Sequence, residues 1–235
     1  MKQPKLELLS PAGSWEALEA AVRSGADAVY LGGSLFSARA NAQNFDHDTL
    51  KQAVAYCHAR GVKVHLAVNT ILLNHEIEPA LDFVAFACTL PVDAVIVQDT
   101  GLLHLLRQAA PTLQIHASTQ MSVHTPEGAK LLAEQGVSRV VLARELSLKE
   151  IKEISRVLKD GGFAHVEIEH FVHGALCMSV SGQCYFSSLL GSRSGNRGQC
   201  AQTCRLPFSA KGGTGYDLSL KDLSMIERIG ELADA

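Results

Sequence analysis

The sequence lacks long apolar runs and carries little charge. No stretch approaches the ~18 consecutive apolar residues of a membrane-spanning helix, which argues against an integral membrane protein. Only 19% of the 235 residues are charged and 47% are hydrophobic, which excludes disorder along most of the chain. The first residues also lack the apolar core of a signal peptide. We therefore expect a cytoplasmic protein whose six cysteines are thiols rather than disulfides.

Two motifs of hydrolytic enzymes are absent as well. The metallopeptidase pattern H-E-x-x-H does not occur, since His75 and Glu76 are followed by Ile-Glu-Pro, and neither does the G-x-S-x-G of serine hydrolases. A cysteine peptidase stays open as an alternative, because Cys177 lies close in sequence to His173. Four clustered thiols are nevertheless more than such an enzyme needs.

Acidic residues are missing from residues 170–216, although the chain contains 24 of them. The same stretch holds four cationic side chains, which are Arg193, Arg197, Arg205 and Lys211. The chain as a whole has a net charge of −3, so this stretch forms a basic region on an acidic protein. Such a region predicts an anionic partner, for example a carboxylate, a phosphate or a thiolate-bound cluster.

Short β-branched runs alternate with helical patterns up to about residue 174, which predicts parallel strands joined by helices. The strand candidates are residues 6–10, 28–32, 62–69, 94–99, 113–120, 139–145 and 165–174. The helix candidates are residues 14–24, 47–60, 76–89, 100–109, 126–135 and 147–159. Helix-start signals at Ser14, Asp46, Thr125 and Ser147 support four of them.

Polar side chains at alternate strand positions favour a TIM-barrel-like α/β fold over an open doubly wound sheet, whose central strands are apolar on both faces. We predict seven strands with the eighth missing, and a last helix from Asp222. The chain is then one incomplete barrel domain over residues 1–235, the front part of a longer protein, with a Cys/Arg/Gly-rich insertion at residues 175–215. Six polar residues are expected to point towards one barrel mouth, namely His65, Asn69, His116, Gln120, Glu169 and His173.

The four late cysteines follow the pattern C-x6-C-x15-C-x3-C and begin directly after the seventh predicted strand. They are Cys177, Cys184, Cys200 and Cys204. Four thiolates are the ligand set of iron–sulfur clusters and of structural zinc, and only the last pair has the tight spacing usual for zinc. The spacing leaves three alternatives: an iron–sulfur cluster, a zinc ion or uncoordinated thiols.

Several motifs resemble the collagenase-like peptidase family of unknown catalytic type, the U32 peptidases. They are EHFVHGALC (169–177), SGQC (181–184), GSRSGNRGQCAQTCR (191–205), ELLSPAG (7–13), GADAVYLGG (25–33), RELS (144–147) and DLSLKD (217–222). The resemblance covers essentially the whole chain. It is strongest to the long bacterial branch of ribosomal RNA 5-hydroxycytidine synthases.

The resemblance implies a barrel-like catalytic domain with a 4Fe-4S cluster held by Cys177, Cys184, Cys200 and Cys204. It also implies oxygen-independent hydroxylation of an RNA base, giving 5-hydroxycytidine or 5-hydroxyuridine, with prephenate as a possible co-substrate. The expected partners are rRNA or tRNA and a small dicarboxylate, without a membrane. RNA binding is not expected from this chain alone, because it carries net negative charge.

Candidate site residues follow from the barrel mouth and the basic stretch. We predict acid–base or orienting roles for His173, Glu169, His116 and Asn69. Substrate contacts are predicted for Arg193, Arg197, Arg205 and Gln120, because guanidinium groups bind carboxylates and phosphates through paired hydrogen bonds. Two further functions remain as alternatives: a collagenase-like peptidase and a non-catalytic, metal-stabilised RNA-binding scaffold.

Overall fold

The computed structural model describes residues 6–38, 42–210 and 212–235. Its centre is a parallel sheet of seven strands whose spatial order equals their order in the chain. The strands are β1 (Leu9–Pro11), β2 (Ala28–Gly32), β3 (Lys63–Val68), β4 (Ala94–Val97), β5 (Ile115–Ala117), β6 (Arg139–Val141) and β7 (Glu167–Glu169). This order confirms the TIM-barrel-like prediction, and the sheet curls into a half-barrel with β1 and β7 at its two edges.

Six helices connect the strands, and all six were predicted from the sequence. They are α1 (Trp15–Arg23), α2 (His47–His58), α3 (Ile77–Thr89), α4 (Thr100–Ala109), α5 (Pro126–Glu134) and α6 (Leu148–Asp160). The predicted caps are confirmed: Ser14, Asp46, Thr125 and Ser147 each accept a hydrogen bond from a backbone N–H of the first turn. Caps of this kind contribute about 1 kcal/mol each to helix stability.

The side chains of each strand divide between two environments. On β3, Val64, Leu66 and Val68 belong to the apolar core between sheet and helices. His65 lies two residues from Lys63 and from Ala67. Its side chain faces the concave interior, because successive side chains of a strand point to opposite faces. On the neighbouring strands Val95 and Ile115 belong to the same apolar core, while the inner surface carries polar residues such as His116 beside apolar ones such as Ile96.

The seventh predicted strand is shorter than residues 165–174. β7 ends at Glu169, and the chain then leaves the sheet to form β8 (His173–Gly174), which pairs antiparallel with β11 (Leu223–Ser224). A separate hairpin joins β9 (Phe208–Ala210) to β10 (Gly213–Gly215). Residues 173–174 therefore form a second short strand outside the barrel, paired with β11. The alternating sequence pattern continues beyond β7 because it includes this strand.

The end of the chain also differs from prediction. Residues 216–219 form a turn in which Ser219 N–H donates to Tyr216 O (2.9 Å), and a 3-10 turn, Ile226–Arg228, precedes the short α8 (Ile229–Ala233). The last helix therefore begins later than Asp222. Within the described ranges no eighth parallel strand is present, and no helix is long and apolar enough to cross a membrane. Cys57 is buried in the apolar core, whereas Cys88 is exposed on α3.

Candidate active site at the C-terminal mouth

Residues 175–209, called the cysteine segment below, lie across the C-terminal ends of the strands. Asn196 joins this segment to two barrel loops: its Oδ1 accepts from Ile71 N–H (3.0 Å), and its Nδ2 donates to Gln98 Oε1 (2.7 Å). Gln183 Nε2 donates to the backbone oxygen of Gln120 (2.8 Å). These bonds place the segment where TIM-barrel enzymes carry their chemistry.

Arg197 forms the strongest contact between segment and barrel. Its guanidinium binds both carboxylate oxygens of Glu76 and also donates to Ile71 O (3.1 Å). The Arg197 contact holds the pKa of Glu76 below its usual range. A substrate contact was predicted for Arg197, whose planar guanidinium suits a ligand carboxylate. In the structure this guanidinium already binds the carboxylate of Glu76, at the N-cap of α3.

Glu145 anchors a second part of the segment. Its carboxylate accepts from Ser181 N–H (2.7 Å) and Ser181 Oγ (3.0 Å), and His124 Nε2 lies 3.4 Å away. Ser181 is buried and adopts a positive φ of 42°, a strained conformation for a residue with a side chain. Glu145 thus holds the turn between Cys177 and Cys184, rather than capping α6.

Two arginines bind the backbone immediately before Cys177. Arg144 stacks on Phe171 (4.1 Å from guanidinium carbon to ring centroid) and donates to Ala175 O (3.0 Å). Arg205 donates to Leu176 O (3.1 Å), to Ser219 Oγ (3.0 Å) and to Leu220 O. The guanidinium of Arg205 therefore binds this chain's own oxygens, and the substrate contact predicted for it stays a prediction.

Arg193 differs from the other arginines of the cysteine segment. Its side chain is exposed, and no ion pair or hydrogen bond joins its guanidinium to the part of the chain that the structure describes. Lys211 lies outside the described residues. Because Arg197 and Arg205 have acidic or carbonyl partners, Arg193 is the arginine of this segment that remains available to an anion.

The thiols of Cys184 and Cys200 accept backbone hydrogen bonds. Phe186 N–H donates to Cys184 Sγ and Gln202 N–H donates to Cys200 Sγ, each at 3.3 Å. Donors of this kind stabilise negative charge on sulfur, so the chemistry of the donor set fits a metal–thiolate group. Across residues 6–38, 42–210 and 212–235, however, no three His, Cys, Asp or Glu side chains are already arranged to hold a metal ion.

Asn69 and Gln120 lie at the mouth, as expected for residues that follow β3 and β5. Asn69 Oδ1 accepts from Ala38 N–H (3.0 Å), and its Nδ2 lies 3.5 Å from Ser118 Oγ. Gln120 Oε1 is buried and has no hydrogen-bond partner among the described residues. His173 is elsewhere, exposed on β8 beside β11, because β7 ends before it.

His116 and Glu169 lie below the mouth, inside the half-barrel. His116 packs edge-on against His65 (ring centroids 4.7 Å apart), and both rings are almost fully buried. Burial, reinforced by the charge of Arg139, lowers the pKa of His65 to about 4 and that of His116 to about 2. Both imidazoles are therefore neutral at pH 7.

Arg139 is the buried centre of an ion cluster, called the interior ion cluster below. It is formed with Glu7 and Glu169 and, where it meets solvent, with Lys63 and Glu167, which are 54% and 60% exposed. The Arg139 guanidinium binds Glu7 Oε1 (2.7 Å), Glu169 Oε2 (3.1 Å) and the Glu167 carboxylate. Glu7 also binds Lys63 (2.6 Å). Burial raises the pKa of Glu169, partly offset by Arg139. Since Glu7 adjoins β1 and Glu169 ends β7, the cluster joins the two edges of the curled sheet.

Four residues with clear roles in this geometry were not among the predicted site residues: Arg139, Glu76, Arg144 and the hydrogen-bonded Ser187 of the cysteine segment. Arg144 lies in the RELS motif (144–147). Arg139 carries a signal of its own, because a charged residue at the start of a buried strand needs a partner, and Glu167 and Glu169 alternate on the next strand. Glu76 is 121 positions from Arg197, and no local pattern links them.

Comparison with known proteins places these features in a family. The profile of Peptidase family U32 matches residues 13–235. The chain is 43% identical to the 23S rRNA 5-hydroxycytidine C2501 synthase of Escherichia coli K12 over 98% of its own length and 35% of that protein. It is 34% identical to tRNA hydroxylation protein P1 of Bacillus subtilis (98% and 56% covered) and 34% identical to a collagenase of Porphyromonas gingivalis (97% and 58%).

The chain thus spans between about a third and three fifths of these curated relatives. Among solved structures, the U32 peptidase Mk0906 shares the fold, with a TM-score of 0.60 at 19% identity over 74% of this chain and 72% of that one. The profile match and the identity to the relatives agree with the motifs around the four cysteines. The chain belongs to Peptidase family U32.

Proposed function

We propose that this chain carries the catalytic barrel of an iron–sulfur-dependent enzyme that hydroxylates a pyrimidine base of RNA without molecular oxygen. The observation that carries the proposal is the docking of the cysteine segment onto the C-terminal mouth through Asn196, Arg197 and Gln183. The names of relatives that modify rRNA and tRNA supply the reaction class. A cytoplasmic location agrees with such a substrate.

The cofactor would be held by Cys177, Cys184, Cys200 and Cys204. A thiolate-bound 4Fe-4S cluster supplies one-electron redox chemistry. The N–H groups of Phe186 and Gln202 would stabilise the charge on two of the sulfurs. Because the described side chains do not already form a metal site, binding is expected to order the cysteine segment further.

The substrate would approach over the exposed face of the same segment. Tyr185 follows Cys184 and is 75% exposed, so it offers a ring on which an unpaired base can stack. Arg193 offers a cation for a phosphate or for the carboxylates of prephenate, the expected oxygen donor. Asn69 and Gln120 are suited to orient a base at the mouth. The predicted proton-transfer roles of His173, His116 and Glu169 stay predictions.

Anaerobic reconstitution tests the cofactor. We expect about four iron and four sulfide per chain with a brown visible spectrum, and loss of most of the iron when any one of the four cysteines is changed to alanine. The matched control is Cys88→Ser, an exposed thiol outside the cysteine segment, which should retain the full content. A colourless protein with stoichiometric zinc would contradict the proposal.

The reaction is tested by mass spectrometry of nucleosides. Expression of the protein that carries this barrel, in cells that lack 5-hydroxycytidine and 5-hydroxyuridine, should produce one of them in rRNA or tRNA, and Cys177→Ala should abolish it. Gelatin cleavage that depends on one cysteine alone would support the peptidase alternative. RNA binding without modification, unchanged after loss of the cluster, would support the scaffold.

A further inference from the structure

Two separate side chains hold the backbone beside the four cysteines: Arg205 acts near Cys177 and Cys204, and Ser187 near Cys200. Arg205 directly follows Cys204, and its Nη2 donates to the oxygen of Leu176, which directly precedes Cys177 (3.1 Å). One side chain therefore connects the backbone of the first cysteine to that of the fourth, although 27 positions separate them in the sequence.

The other side of the Arg205 guanidinium fixes this pair to the end of the chain. Nη1 donates to Ser219 Oγ (3.0 Å) and to Leu220 O, and Nη2 lies 3.6 Å from Asp222 Oδ1. A guanidinium is planar and presents its donors in a fixed arrangement, so it sets the relative positions of all three backbone segments. A lysine has a single nitrogen and cannot reproduce this set of bonds.

The second pair is organised by Ser187, at the start of α7 (Phe186–Gly191) and almost fully buried. Its hydroxyl accepts from Ala201 N–H (3.0 Å) and donates to Cys200 Sγ (3.9 Å). Gly195 lies between Cys184 and Cys200. A Cβ atom built on Gly195 would be 3.4 Å from the backbone oxygen of Cys184 and 3.9 Å from Cys200 Cβ.

We propose that Arg205 and Ser187 are positioning residues, Arg205 holding Cys177 with Cys204 and Ser187 holding Cys200 beside Cys184, so that two preformed pairs present the thiols to one shared group. The identity of that group rests on the proposed function. The pairing itself is a property of the metal-free chain, and it is tested there first.

Alkylation of the metal-free, reduced protein by iodoacetamide at fixed pH, followed peptide by peptide with mass spectrometry, measures each thiol separately. Arg205→Ala should accelerate alkylation of Cys177 and Cys204 about tenfold, because loss of its bonds to Leu176, Ser219 and Leu220 releases the backbone beside both thiols and lets the reagent reach them. Ser187→Ala should accelerate Cys200 about threefold, the effect of losing one neutral hydrogen bond, and leave Cys177 and Cys204 unchanged.

The matched control is Arg193→Ala, which removes the same charge from the same segment without breaking a described contact. It should leave all four rates within twofold of the wild type. Equal acceleration of all four thiols by Arg205→Ala, or an Arg193→Ala effect as large, would overturn the pairing. Ser187→Thr keeps the hydroxyl and should restore the wild-type rate at Cys200, which a general loss of packing would not allow.

If Arg205→Ala is unfolded, as shown by loss of its far-UV circular dichroism signal, Arg205→Lys takes its place in the alkylation test. It should still raise the Cys177 and Cys204 rates selectively, and a uniform rise would overturn the inference. Reconstitution separates the two proposals: wild-type chain that takes up no iron contradicts the proposed function alone. Iron uptake together with unselective alkylation contradicts the positioning roles alone.

Discussion

Arg139→Ala is expected to lower the free energy of unfolding by about 3–5 kcal/mol, the range for removing one partner of a buried ion pair. The guanidinium is 7% exposed and binds the carboxylates of Glu7, Glu167 and Glu169. Without it Glu169 loses its cationic partner inside the half-barrel, and Glu7 retains Lys63. Urea denaturation at pH 7.5, followed by far-UV circular dichroism, measures the loss.

The control for this variant is Arg156→Ala. Arg156 binds Glu153 and Asp160 on the exposed face of α6, so its removal should cost less than about 1 kcal/mol. Repeating both urea denaturations at pH 5 checks the direction of the pH effect. Burial raises the pKa of Glu169, so this carboxyl takes up a proton as the pH falls, and the Arg139→Ala deficit should shrink. Equal costs for Arg139→Ala and Arg156→Ala at pH 7.5 would show that the interior ion cluster contributes nothing to stability.

The histidine pair predicts that mild acid destabilises the fold. In the unfolded chain each imidazole has a pKa near 6.5, whereas in the folded chain burial and Arg139 lower the pKa to about 4 for His65 and about 2 for His116. The unfolded state therefore binds more protons below pH 6.5, and stability falls with pH. At pH 5.5 each histidine contributes a loss of about 1.4 kcal/mol, about 3 kcal/mol for the two.

His65→Phe and His116→Phe test the source of this dependence, since each keeps a ring but removes the titration. Each should reduce the stability difference between pH 8 and pH 5.5 by about half, whatever its effect on stability at pH 8. Glu169 acts in the opposite direction, because burial raises its pKa, and it is present in every variant compared. His104→Phe, on the exposed side of α4, should leave the difference unchanged. A wild-type protein as stable at pH 5.5 as at pH 8 would contradict the prediction.

The barrel units could be predicted from the sequence because their signals are local. Ser147 and Glu150 form the capping box that their three-residue spacing indicates, and His65 and His116 face the interior as alternation requires. The limit of the seventh strand could not be predicted in the same way. Residues 170–174 retain a strand-like pattern, but His173 and Gly174 pair with Ser224 and Leu223, far along the chain.

Charge in the cysteine segment shows a similar limit. The absence of acids from residues 170–216 indicates a segment whose cations need partners elsewhere, and this segment lies at the C-terminal end of the barrel. The acids that satisfy Arg197 and Arg205 lie in other segments, at Glu76 and Asp222. Sequence composition records a local excess of charge, while only the fold reveals which of those charges remains available.

The interior ion cluster also has a consequence for the order of folding. Adjacent strands are neighbours in sequence, so most sheet contacts close short loops, but Arg139 and Glu7 meet only after every intervening unit is in place. Contacts between distant parts of a chain form late because their loop-closure entropy is large. Arg139→Ala should therefore act on the rate of unfolding, which rises, and leave the rate of folding nearly unchanged. The ion pairs between the two sheet edges would then govern how long the half-barrel stays folded.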